Sequence, residues 1–148
     1  PAGRLAATVE EVGGTVVVVG METPQAGADR LADAVDRLGS AGCDAVLGPA
    51  ADGGYWAIGF RRPDPRAFDD VPMSTASTGR RQLEALRRLG LRVRLLPQLV
   101  DVDHHAEART VAATVPGSRF ARAVASVDRR LAAAPGPDQA RRAGPVPT

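Results

Sequence analysis

Lysine is missing from this 148-residue chain, so all 19 basic side chains are arginine. With abundant Ala, Gly and Pro, this pattern points to a GC-rich coding bias rather than to selection for phosphate contacts. The 17 acids leave a net charge of only +2. Aromatics are scarce as well, with one Trp, one Tyr and three Phe, and no basic stripe is interleaved with them. A nucleic-acid partner is therefore not expected. A single cysteine, Cys43, excludes an internal disulfide and fits a reducing cytoplasm; it reads as a small core residue. No apolar run approaches the roughly 20 residues of a membrane span, so no membrane partner is expected either. No secretory signal opens the chain, and it begins at Pro1 rather than Met, leaving open a native start further upstream.

What is present is the composition of a soluble globular domain, 44% hydrophobic and 24% charged. Leu5, Val9 and Val12 suggest a first helix ended by Gly13-Gly14. The β-branched run Thr15 to Gly20 has the look of a central parallel strand covered on both faces. Leu31, Ala34, Val35 and Leu38 repeat at helical spacing, and strands follow at Ala45 to Gly48 and Tyr55 to Phe60. Ser74 and Thr75 are good N-caps for a helix carrying Leu83, Leu86 and Leu89. Leu91 to Leu96 alternates apolar residues with Arg, the pattern of a strand with one wet face, and two helices complete the domain near His105 to Thr114 and Ser118 to Ala133. Such alternation means an α/β domain, expected over residues 1–134, with a largely parallel sheet. The Pro-, Ala- and Arg-rich residues 135–148 read as a disordered tail.

One short stretch concentrates the rare residues. Asp52-Gly53-Gly54 separates two strand-type runs, and the only Tyr and the only Trp, Tyr55 and Trp56, follow directly. Two glycines can turn the backbone through φ > 0 and let a ligand approach the main chain. Asp52 supplies a charge, and the two rings supply flat faces for a base or sugar. The other reading is a hairpin turn with two aromatics at the mouth of the core. In open α/β sheets ligands sit beyond the carboxyl ends of strands. Glu22 stands at one such end, and Asp101 and Asp103 follow another. Gathered together, these would make an oxygen-rich site for a hard divalent cation such as Mg²⁺; separately, Glu22 and Asp103 would merely cap the helices that follow. His104 and His105 are adjacent, so their side chains diverge, and they read as solvated helix-start residues. No Gly-x-Ser-x-Gly elbow surrounds Ser74, which argues against a serine hydrolase.

The segments VVVVGMETPQ, DAVLGPAADGGYWAIGF, VPMSTASTG, GLRVRLLPQLVDVD and PGSRF, in this order, resemble one bacterial family. It is the glycosyltransferase-A-like family of unknown function 2064, also described as transferase 1 of radical-SAM/selenodomain neighbourhoods. It is distantly similar to the phospholactate and molybdenum-cofactor guanylyltransferases. The resemblance runs from about Gly3 to Phe120. It implies a nucleotide-diphospho-sugar transferase fold, a Rossmann-like three-layer sandwich, with a nucleotide and Mg²⁺ or Mn²⁺ in the crevice. By position, Glu22 and Asp103 match the metal ligands, with Asp101 the alternative. Asp52 matches a catalytic position, while Gly53, Gly54, Tyr55, Trp56, Ser74 and Thr75 match the substrate-facing segments.

Three departures accompany the resemblance. A first strand with a loop of the form Pro-x-Pro-Gly-x-x-Lys-Thr-Arg-Leu is not found, and there is no Lys to replace its cation. Glu22 stands where Asp is usual, moving the carboxylate out by roughly 1.5 Å, where a misplacement near 1 Å costs on the order of a hundredfold in rate. His104-His105 replaces the usual Thr-Pro. Two functions follow from this. One is a metal-dependent glycosyltransferase or nucleotidyltransferase acting on a nucleotide-diphosphate sugar or NTP and a small-molecule acceptor. The other is a non-catalytic remnant of the fold, binding or assembling into a homo-oligomer through an exposed sheet edge.

Overall fold

The computed structural model describes residues 2–133; the expected tail at 135–148 and the boundary at 134 lie outside the described residues. Helix α1 (Ala2–Val12) buries Val9 completely and ends at Gly13, whose φ of +63° closes it. Strand β1 (Val16–Val19) follows, then α2 (Ala28–Gly39), which buries Ala34 and Leu38 while Leu31 and Val35 stay at the surface. Strands β2 (Ala45–Pro49) and β3 (Tyr55–Phe60) form the most buried part of the sheet. A 3₁₀ turn (Pro65–Phe68), helix α3 (Thr78–Arg88) and the short strand β4 (Val93–Leu95) come next. Helices α4 (His105–Thr114) and α5 (Arg119–Ala133) close the described chain as a pair, joined by His105 and Asp128 at 2.8 Å. Among the described residues no helix is long and apolar enough to cross a membrane.

The sheet runs β1-β3-β2-β4. Strand β3 is antiparallel to both neighbours, whereas β2 and β4 are parallel, so β1, β2 and β4 share one direction. This corrects the expectation of a largely parallel sheet with β1 in its centre. A parallel neighbour needs a crossover of a dozen or more residues, and residues 50–54 are enough only for a hairpin. Strand β1 lies at an edge of the sheet and is half-buried throughout; its β-branched run marks a strand without saying how many neighbours it has.

Helices α1 and α3 and the 3₁₀ turn cover one face, over Ala45, Leu47, Ile58 and Phe60, with Phe60 and Phe68 meeting edge to face at 5.9 Å. Helix α2 covers the other face, over Val46, Ala57 and Trp56. The result is a three-layer α/β sandwich. Close approach of α2 explains Gly59, where a Cβ would press on Val46, Leu38 and Val17. Cys43 is a buried free thiol in the same layer.

One irregularity positions the site. Gly48 pairs with Ala57 and Pro49 with Tyr55, so Trp56 is an extra residue in β3 with no partner across the ladder. Such a bulge re-aims the side chains beside it. Here it sends the Trp56 indole to the α2 face, against Gly48, where any Cβ would collide with the ring. Tyr55 packs on the opposite side, with the other core cluster.

Candidate active site at the carboxyl ends of three strands

Because β1, β2 and β4 point the same way, the segments leaving them emerge on one rim. Glu22 follows β1, Asp52 follows β2, and Asp101 and Asp103 follow β4. All four line a single cavity of about 560 Å³. Main-chain bonds lace the three segments together. Ala51 N–H donates to the Leu99 carbonyl at 2.8 Å, Leu99 N–H to Pro49 at 3.1 Å, and Val102 N–H to Glu22 at 2.8 Å. The Trp56 indole N–H donates to the Pro97 carbonyl at 3.0 Å, pinning the start of the same loop.

The four carboxylates differ in surroundings. Asp52 is exposed, and its Oδ1 accepts the Gly54 N–H at 2.8 Å, leaving Oδ2 without a main-chain bond. Asp101 is half-buried, and its Oδ2 is shielded from water with no hydrogen-bond partner. Burial pushes the Asp101 carboxyl up to about 6, and the nearby negative charges of Asp52, Asp103 and Glu22 add to the shift. Among the described residues no basic side chain lines the cavity. Glu107 accepts the main-chain N–H groups of Asp103 and His104, both at 2.8 Å, and these bonds hold its own carboxyl below the usual range. The Asp103 backbone is thereby fixed at the start of α4. Among the described residues no three His, Cys, Asp or Glu side chains are grouped closely enough to hold a metal ion; the acids are spread round a rim.

Several expected site residues line the cavity: Glu22, Asp52, Gly54, Tyr55, Ser74, Thr75, Asp101 and Asp103. Tyr55 is half-buried with its hydroxyl 4.0 Å from the Met73 sulfur, and burial pushes the phenol up to about 12. Three expectations change. Trp56 borders the cavity but is 1% exposed, with its N–H already bonded, so its ring supports the site from beneath and offers no free face. Gly53 does not line the cavity. Its φ of +93° and the overlap a Cβ would make with the Ala76 carbonyl show that it admits the protein's own backbone, not a ligand. Ser74 and Thr75 do not cap a helix. Helix α3 starts at Thr78 after Ser77, and Ser74 sits in the preceding turn at φ +60°, an uncommon conformation for a residue with a side chain.

That turn is braced from several sides. The Thr78 hydroxyl donates to the Pro72 carbonyl at 2.8 Å and accepts the Thr75 N–H at 3.0 Å. Gly79 N–H donates to Gly53 at 2.8 Å, and a Cβ on Gly79 would overlap the Gly54 carbonyl. His104 and His105 lie outside the cavity lining, and His105 pairs with Asp128. Sequence reasoning missed the apolar wall of Leu5, Val18 and Met73. It also missed Glu107, for which the placing of an acid three residues after a helix start was an available signal.

This three-layer architecture, with its cavity at the carboxyl ends of the strands, is the fold of nucleotide-diphospho-sugar transferases. It matches the crystal structure of a "putative nucleotide-diphospho-sugar transferase" from Desulfovibrio desulfuricans G20 with a TM-score of 0.76 and 28% sequence identity, over 88% of this chain. The chain spans only 60% of that protein's length. A family model of uncharacterised proteins conserved in bacteria, DUF2064, matches residues 2–75, and the chain belongs to that family. The matched segment contains Glu22, the Asp52 turn, Ser74 and Thr75. No functionally curated protein matches the sequence.

Proposed function

We propose that this chain is part of a metal-dependent glycosyltransferase or nucleotidyltransferase, acting on a nucleotide-diphosphate sugar or NTP. The observation that carries the reading is the gathering of Glu22, Asp52, Asp101 and Asp103 at one rim, with no basic side chain beside them among the described residues. Their chemistry fits a hard divalent cation: every donor is a carboxylate oxygen, and Asp101 Oδ2 is buried with no partner. Burial is the main cause of the raised Asp101 carboxyl, and the repulsion from Asp52, Asp103 and Glu22 that adds to it is of the kind a cation relieves. Glu22 and Asp103, with Asp101 as the alternative ligand, would hold Mg²⁺ or Mn²⁺. When bound, such an ion supplies positive charge opposite the negative charge that develops on a diphosphate leaving group.

The chain's own side chains do the rest. Asp52, with Oδ1 tethered to Gly54, orients or deprotonates the acceptor hydroxyl through its other oxygen. Tyr55 stays neutral and presents a ring edge and hydroxyl to the sugar or base, backed by Met73. Ser74 and Thr75 line the cavity from the turn before α3, and Ser74, whose neighbour Thr75 is bonded to the hydroxyls of Ser77 and Thr78, suits a polar substrate group. The likeness to the Desulfovibrio transferase structure supports a nucleotide-sugar as donor. The test is titration with nucleoside-diphosphate sugars and NTPs, in Mg²⁺ or Mn²⁺ and in EDTA. Asp103→Ala is expected to abolish the metal-dependent binding, a loss of at least about a hundredfold; unchanged binding overturns the assignment.

One observation favours a second reading, an assembly module. Strand β1 is at the sheet edge among the described residues, and an open edge is a template for pairing. Light scattering separates the two: a metal-independent dimer without nucleotide binding supports assembly, and a monomer that binds nucleotide with metal supports transfer.

A further inference from the structure

Two glutamines are buried among the described residues, Gln25 at 8% exposure and Gln82 at 0%. They make the same kind of contact. Each donates its Nε2 to a main-chain carbonyl at 2.6 Å, Gln25 to Val100 and Gln82 to Ala67, and each leaves its Oε1 buried without a partner. Gln82 thereby fastens α3 to the 3₁₀ turn, away from the four carboxylates. Gln25 fastens the segment after β1 to the residue just before Asp101.

The position of that second bond is informative. The segment carrying Glu22 touches the loop carrying Asp101 and Asp103 through two hydrogen bonds. One is Gln25 Nε2 to the Val100 carbonyl, and the other is the Val102 N–H to the Glu22 carbonyl. They grip the residues on either side of Asp101. Leaving an amide oxygen buried and unpaired is costly, and a Met side chain of similar volume would fill the space without that cost. What the amide adds is a fixed distance. We infer that Gln25 is a positioning residue of the cation site, holding the Asp101–Asp103 loop at the spacing from Glu22 that lets acids from two strands reach one ion. This inference rests on the cation reading of the rim.

The two glutamines supply their own control. The test is titration of the 148-residue chain with Mn²⁺, following free Mn²⁺ by electron paramagnetic resonance, alongside thermal melts. Gln25→Met should weaken Mn²⁺ binding by about 10–100-fold, the usual consequence of removing a group that orients metal ligands, with little change in Tm. Gln82→Met should change Tm while leaving Mn²⁺ affinity as in the wild type. If Gln25→Met does not fold, Gln25→Asn keeps the amide but withdraws it from Val100 by one methylene, and the same loss is expected. Wild-type affinity in the folded Gln25 variant overturns the inference, as does an equal loss in both Met variants. Failure of the wild type itself to bind Mn²⁺ overturns the cation reading, and the inference with it.

Discussion

The two ends of strand β2 treat the same side chain in opposite ways. At the amino end, Asp44 is clamped by Arg92, with Nε to Oδ2 at 2.7 Å and a second guanidinium nitrogen to Oδ1 at 2.9 Å. Arg92 and its own main-chain N–H hold the Asp44 carboxyl well below the usual range. On the same side of the molecule, Arg61 donates to the carbonyls of Leu38 and Ser40. At the carboxyl end, Asp52 gathers with Asp101, Asp103 and Glu22, and among the described residues no arginine lines the cavity they share. The chain has arginines to spare, so the imbalance is local. One end of the sheet is neutralised and closes the structure. The other is left with uncompensated negative charge, the electrostatic condition for holding a cation.

The largest effect expected from testing this contrast is on the backbone. Gly13 and Gly53 both have positive φ, at +63° and +93°. A Cβ at Gly13, at the end of α1, meets nothing within 4 Å, whereas one at Gly53 overlaps the Ala76 carbonyl. Gly13→Ala should cost about 1 kcal/mol, the strain of a left-handed alanine. Gly53→Ala should cost about 3 kcal/mol or more, because it also forces the turn before α3 away from the rim. Urea denaturation of both variants measures the difference, and equal costs would remove the claim that this turn is built by self-packing.

How much of this was legible beforehand follows from the same residues. Helices and strands were readable because Leu5, Val9 and Val12, or Leu31, Ala34 and Leu38, repeat at spacings that only one kind of element satisfies. The acids after β1 and β4 were readable as strand-end residues, and Asp52 as the carboxylate of a turn. The order of strands was not, since Val16 to Val19 carries no mark of which neighbour it lacks. Nor were the partners of Gly53 and Trp56. The Ala76 carbonyl and the Pro97 carbonyl lie far along the chain, and the bulge that turns Trp56 inward depends on Gly48 across the hairpin. Asp-Gly-Gly-Tyr-Trp therefore read equally as a ligand loop and as a hairpin turn at the mouth of the core, and the structure holds something of both: Asp52, Gly54 and Tyr55 line the cavity, while Gly53 and the Trp56 ring are scaffold.

A smaller effect, with a change of sign, comes from one substitution made at both ends. Asp44→Asn removes the paired charge, and at a half-exposed, solvent-screened site Tm should fall by about 2 °C or less. Asp101→Asn removes an unpaired charge from a repulsive cluster, and Tm of the metal-free protein at pH 7 should rise by about 2–4 °C, from a stabilisation discounted for solvent screening to about 1 kcal/mol. The same Asp101→Asn protein should bind Mn²⁺ more weakly. A fall in Tm for both variants would mean that the rim is neutralised like the amino end.

The smallest effect is the shape of the stability curve with pH. Asp101 has a folded-state pKa raised to about 6 from an ordinary 3.8, so between those values the folded chain holds a proton that the unfolded chain has lost. Stability contributed by that proton is fully present below about pH 4 and is lost as pH rises through 6. Asp44 slopes the other way, because its folded pKa is lowered: its contribution is present above pH 4 and is lost only as the medium becomes strongly acid. Between pH 4 and 6 the metal-free protein should therefore weaken slightly as pH rises, by about 1 kcal/mol or less after screening. The slope should vanish in Asp101→Asn. It should also vanish at saturating Mg²⁺, since a bound cation favours the ionised carboxylate and its affinity then rises with pH over the same interval. Thermal melts at half-unit pH steps, with and without Mg²⁺, read all of this in one experiment, and a slope unaffected by both Asp101→Asn and Mg²⁺ would place its origin elsewhere in the molecule.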